Sequence, residues 1–192
     1  MRRRVNGGGI EMGERNSSCP NGKQGGVAFG TSPGAAAEIT AAVKTVCDVP
    51  LMVKLGPNVS DIGAIALAVQ AAGADCISLI NTLTGMVVDV GSRRPLLANV
   101  TGGMSGPAVK PVALRMVHEV YTAVDIPIIG MGGIMSATDV LEFMLCGARA
   151  VMVGTVNLAN PYACADIIRD LSEYLDKNEI EDINSFVGAL KV

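Results

Sequence analysis

The stretch Ile126-Pro-Ile-Ile-Gly-Met-Gly-Gly-Ile134, continued through Ser136 to Gly147 and Ala150-Val-Met-Val-Gly-Thr155, decides the fold. Ile126 to Gly130 is an apolar run that reads as a strand and leads directly into Met131-Gly132-Gly133. Ser136, with Asp139 three residues on, resembles a capping box for a helix that ends at Gly147. Ala150 to Val153 then reads as a second strand, stopped by Gly154-Thr155. Both strands are apolar throughout rather than alternating, the pattern of a parallel sheet buried on both faces. Strand, glycine turn, helix and strand together make a βα unit.

Working outward, the same unit recurs. Val49-Pro-Leu-Met-Val-Lys-Leu55 is strand-like, bounded by Asp48 and Gly56-Pro57. Ser60 or Asp61 can cap a helix over Ile62–Ala72 that Gly73 would stop. Cys76 to Thr82 is another apolar strand, followed by a loop rich in Gly, Arg and Pro. Helices are expected from about Pro111 to Ala123 and from about Pro161 to Leu175. Ala72-Gly-Ala-Asp-Cys-Ile77 is echoed by Cys146-Gly-Ala-Arg-Ala-Val151, and Val49-Pro50 by Ile126-Pro127. Repeated modules of this kind suit a (β/α)8 barrel, typically about 250 residues long. The 192 residues supply four strands, with room for one more in the first 15, although Gly7-Gly-Gly9, Gly13 and Glu14-Arg15 interrupt an apolar reading there. The expectation is one α/β domain over 1–192: an incomplete TIM barrel with an irregular segment at 1–15.

Composition narrows the partners. Fifteen basic against 18 acidic residues give net −3, which argues against a general nucleic-acid binder. Arg2 to Arg4 form the only basic cluster and read as a frayed terminus. The longest apolar stretch, Ile62 to Ala74, contains Gln70 and lies between Asp61 and Asp75, so no membrane span is expected. No apolar run follows the arginines, so no secretory leader is expected either. Five widely spaced cysteines, one histidine and no C-x-x-C pair make a zinc site improbable and point to free thiols in the reducing cytoplasm.

In such an architecture functional residues collect at the carboxyl ends of strands. Those ends carry Lys54, Asn81-Thr82, Gly130-Met131-Gly132-Gly133 and Gly154-Thr155. Glycine turns after the last two strands match a phosphate cradle, though glycines also serve plain strand-to-helix turns. Lys54 within an apolar strand either meets a charged or carbonyl-rich ligand or snorkels to solvent. Asn81 needs hydrogen-bond partners, which a polar ligand would supply. Asn16-Ser-Ser-Cys-Pro-Asn21 is the densest polar patch. A thiolate at Cys19 near Lys23 can act as nucleophile or base, while loop cysteines are also commonly inert. Cys47, Cys76, Cys146 and Cys164 read as core thiols, and His118 as a surface residue.

These pieces resemble the class 1 dihydroorotate dehydrogenases, nearly continuously from Asn16 to about Lys177. The blocks are Asn16-Ser-Ser-Cys-Pro-Asn21, Lys23-Gln-Gly-Gly-Val-Ala-Phe-Gly30, Val53-Lys-Leu-Gly-Pro-Asn58 and Ile80-Asn-Thr-Leu83. Thr101-Gly-Gly-Met-Ser-Gly-Pro-Ala-Val-Lys-Pro111, Ile128-Ile-Gly-Met-Gly-Gly-Ile134 and Val153-Gly-Thr155 complete them. The Lys-Gln-Gly-Gly stretch is similar to the NAD-linked B-type branch, whose catalytic subunit pairs with a subunit carrying FAD and a [2Fe–2S] cluster. The resemblance implies roughly the last four or five βα units of a TIM barrel that binds FMN at its carboxyl face.

By the same resemblance, Gly132, Gly133, Gly154 and Thr155 would hold the FMN phosphate. Lys54 would reach the flavin ring, with Ile80, Ser105 and Gly106 close to it. Asn16, Asn21, Asn81 and Thr82 would hydrogen-bond the pyrimidine. Cys19 would take a proton from C5 of dihydroorotate as hydride leaves C6, giving orotate for pyrimidine synthesis. A homodimer is implied as well. Gly22 and Gly56 stand where the family usually has a larger residue or serine. Two other readings stay open: a related dihydropyrimidine dehydrogenase, and a non-catalytic half barrel that binds FMN or phosphate.

Overall fold

The computed structural model of the chain describes residues 11–16 and 30–192. Five parallel strands form the central sheet: β1 (Gly13–Asn16), β2 (Leu51–Leu55), β3 (Cys76–Leu79), β4 (Ile128–Met131) and β5 (Ala150–Met152). They are neighbours in that same order. The register sets Gly13 opposite Leu51, Met52 opposite Cys76, Ile77 opposite Ile128 and Ile129 opposite Ala150. Between the strands run the helices α1 (Pro33–Lys44), α2 (Ile62–Ala71), α3 (Lys110–Tyr121) and α4 (Ala137–Leu145), with α5 (Ala163–Lys177) after β5.

The alternation of side chains along each strand explains why the strands look apolar throughout. Leu51, Val53, Leu55, Ile77, Leu79 and Ile128 form one face and share a core with Ile65 and Val69 of α2, Val117 and Val120 of α3, and Phe143 of α4. On the alternate positions, Met52, Cys76, Ser78 and Met131 are buried too. The capping residues are those the pattern suggested. Asp61 rather than Ser60 accepts the Ala64 N–H at 2.9 Å to start α2. Ser136 and Asp139 form the reciprocal capping box of α4.

The structure differs from the sequence expectation in four places. Gly13, Glu14 and Arg15, read as irregular, belong to β1; Gly13 N–H donates to Pro50 O at 3.0 Å and the ladder continues to Asn16. Among the described residues β1 ends the sheet order, and its Glu14 and Asn16 are exposed, so the strand needs no apolar run. Ser78 Oγ adds a 2.6 Å hydrogen bond to Glu14 Oε1. The glycine-rich loop holds two antiparallel ribbons, Leu83–Gly85 with Gly102–Met104 and Val88–Asp89 with Arg94–Pro95. Of the four cysteines read as core thiols, Cys76 and Cys146 are buried, but Cys47 is half-buried and Cys164 exposed. Finally, His118 is half-buried rather than on the surface, and its Nδ1 is enclosed.

No helix among the described residues is long and apolar enough to cross a membrane.

Candidate active site at the strand ends

A cavity of about 380 Å³ opens at the carboxyl ends of the sheet. Lys54 of β2 lines it, as do Ile80, Asn81 and Thr82 after β3. Ser105 and Gly106 contribute from the segment ahead of α3, Gly132 and Gly133 from the turn after β4, and Gly154 and Thr155 from the turn after β5. Ten residues singled out from sequence therefore meet at one place. Asn16, at the end of β1, joins them by accepting a 3.1 Å hydrogen bond from Asn81 Nδ2. Cys19 and Asn21 lie outside the described residues.

The turn after β4 is built for close approach. Gly132 and Gly133 have φ of 128° and 77°, the left-handed region that glycine tolerates best. A Cβ on Gly133 would sit 2.7 Å from Gly106 O and 3.0 Å from Lys110 N. On the opposite wall a Cβ on Gly154 would meet nothing within 4 Å, so that turn faces open space. Thr155 Oγ1 donates to Ser105 Oγ at 2.9 Å and ties the turn after β5 to the segment ahead of α3. Such a pair of backbone turns at strand ends suits an anion.

The rest of the lining is largely apolar. Met131, from the glycine-bearing strand end, contributes to it, as do Met104, Met135 and Met152, which were not singled out from sequence. Thioethers are polarisable and adapt to a flat ring. An apolar hollow with a few convergent polar groups is the usual form of a small-molecule site.

Asn58 was also missed as a site residue, although it closes one of the resemblance blocks. Its Nδ2 donates to Thr82 O at 3.2 Å and its Oδ1 accepts the Thr84 N–H at 3.0 Å, fastening the chain that carries Asn81 and Thr82. Asn81 Oδ1 in turn accepts the Thr82 N–H at 2.8 Å.

Three groups outside the lining have shifted titration, each from a structural cause. Burial pushes the Cys76 thiol up to about 11, so it stays protonated and packs as a small apolar group. Hydrogen bonds to Asp139 and Glu142 hold the Lys110 ammonium above the ordinary lysine value. Burial raises the Asp139 carboxyl, but Lys110 and the Met135 and Ser136 contacts outweigh it and leave it below the ordinary value.

Sheet and cavity together define an α/β protein of the (β/α)-barrel type with a strand-end site suited to an anion and a flat ring. The family model for dihydroorotate dehydrogenase matches residues 10–175, and the chain belongs to that family. That family is a TIM barrel, and the five-stranded parallel sheet is an incomplete one. Three similar proteins carry the name dihydroorotate dehydrogenase B (NAD(+)), catalytic subunit. The one from Desulforamulus reducens is 60% identical over 181 residues, 94% of this chain and 60% of that protein. The one from Shouchella clausii is 59% identical over 175 residues, 91% of this chain and 58% of that protein. The one from Geotalea daltonii is 58% identical over 179 residues, 93% of this chain and 59% of that protein. The chain thus spans about three fifths of the length of the curated relatives it matches.

Proposed function

We propose that this chain supplies the cofactor-holding strand ends of an FMN-dependent dihydroorotate dehydrogenase, which oxidises dihydroorotate to orotate in pyrimidine synthesis. One observation carries the reading: residues from successive strand ends, from Lys54 to Thr155, converge on a single cavity. The cavity fits FMN in its chemistry. Gly132-Gly133 and Gly154-Thr155 offer backbone to a phosphate, and a Cβ at Gly154 would project into space that no protein atom within 4 Å occupies. Lys54 and the methionines border the space for the ring. When bound, FMN supplies hydride acceptance.

The chain's own residues do the remaining work. Asn16 and Asn81, already hydrogen-bonded to each other, present amides that orient the pyrimidine, a task shared with Thr82 and, in this reading, Asn21. Cys19 takes the C5 proton as a thiolate base. The names of the relatives support a B-type catalytic subunit. In this reading the chain acts as a homodimer in the cytoplasm, with an electron-transfer subunit that carries FAD and a [2Fe–2S] cluster.

Titration of the purified protein with FMN, then with orotate or uracil, tests the reading. The expected result is a flavin absorbance spectrum that orotate perturbs and uracil does not. Failure to take up FMN would overturn it. Turnover by Cys19→Ala at neutral pH equal to that of the parent would remove the assigned base.

A further inference from the structure

We infer that Lys110 is a positioning residue for the phosphate turn, bracing α3 against Asp139, whose carboxylate holds the backbone that leaves Gly132-Gly133. The inference rests on the flavin reading above and goes beyond it to a pair of residues outside the lining of the cavity.

Lys110 opens α3, immediately after the helical turn Pro107–Val109. Its Nζ lies 2.5 Å from Asp139 Oδ1 and 2.6 Å from Glu142 Oε2. The other Asp139 oxygen, Oδ2, accepts the N–H groups of Met135 and Ser136 at 2.8 and 2.9 Å. At the backbone the same two segments touch, since a Cβ on Gly133 would lie 3.0 Å from Lys110 N. The segment carrying Ser105-Gly106 and the one leaving Gly132-Gly133 are therefore linked through Lys110 and Asp139 as well as by close backbone approach. Only 24% of the Lys110 side chain and 12% of the Asp139 side chain is exposed, so water screens the pair less than a surface one.

A turn that presents backbone N–H groups to an anion binds best when its orientation is set beforehand, because ordering it on binding lowers affinity. Lys110 has its charge engaged by two carboxylates and acts through them.

The test compares the wild-type chain with Lys110→Met, the milder Lys110→Gln and the charge-preserving Lys110→Arg. Amide hydrogen exchange over Gly132–Ser136 should speed up about tenfold in Lys110→Met and Lys110→Gln, with the core strands unchanged and Lys110→Arg restoring protection. Affinity for FMN should fall about tenfold in the same two variants, and affinity for riboflavin, which lacks the phosphate, by less than about twofold. Unchanged exchange in both neutral variants, or equal losses for FMN and riboflavin, would overturn the brace. A wild-type chain that takes up no FMN sinks the flavin reading instead, and the exchange measurement then decides the brace by itself.

Discussion

Asn81 Nδ2 donates to Asn16 Oδ1 at 3.1 Å, linking the end of β1 to the end of β3 across β2. Lys54 of β2 stands opposite Asn16 in the register, so three polar residues crown three adjacent strands. The hydrogen bond is exposed, and an exposed neutral bond adds little to folding. Asn81→Ala also removes the acceptor of the Thr82 N–H, so its melting temperature should fall by only a few degrees while orotate affinity, read from the flavin difference spectrum, falls about tenfold. Unaltered orotate affinity would remove Asn81 from the substrate site.

Two glycines of the turns should respond in opposite ways to alanine. Gly133→Ala places a Cβ 2.7 Å from Gly106 O at φ 77°, a strained position that should cost about 1–3 kcal/mol. A lower thermal midpoint checks this. Gly154→Ala meets nothing within 4 Å, so its thermal midpoint should match wild type while FMN binding weakens. A Gly154→Ala chain that binds FMN as well as its parent would place the phosphate elsewhere.

Acid stability should depend on Asp139. Burial raises its carboxyl, and Lys110 with the Met135 and Ser136 contacts lowers it further than that, so the folded value lies below the unfolded one. Its contribution is then fully present above the unfolded value of about 3.9 and is lost as pH falls through the folded value. Melting curves from neutral pH downward should drop more steeply below about pH 4 for wild type than for Asp139→Asn. Lys110 has the opposite sign: raised in the fold, its contribution persists below the unfolded value of about 10.4 and disappears as pH rises through the folded value. Parallel acid limbs in wild type and Asp139→Asn would contradict the assignment.

Thiol chemistry should discriminate among the described cysteines. At about pH 8, iodoacetamide should label exposed Cys164 and spare Cys76 and Cys146 until the chain is unfolded. Burial holds both of the latter thiols up, Cys76 to about 11. Peptide mass spectrometry reads the result, and rapid native labelling of Cys76 would show that β3 is not enclosed as described.

Local pattern made much of the architecture legible. β2, β3 and β4 stood out because their largely buried apolar runs end in glycine, proline or asparagine, and β5 because its apolar run stops at Gly154, although Ala150 is exposed and Val151 and Met152 are only half-buried. Ser136 and Asp139 announced α4 because a capping box is a relation between residues three apart. β1 was missed because Glu14 and Arg15 carry no apolar signal. The ribbons between Leu83 and Met104 were missed because strands of two or three residues have no measurable period.

The candidate site divides along the same line. Gly132, Gly133, Gly154 and Lys54 were readable from consecutive residues, since a turn or a charge within a strand is a local property. That Asn16 would meet Asn81, that Asn58 would hold Thr82 and that Lys110 would meet Asp139 was decided by the tertiary structure alone. Partners so far apart in the chain are chosen by strand order, register and the facing of helices, and no window of neighbouring residues contains those quantities.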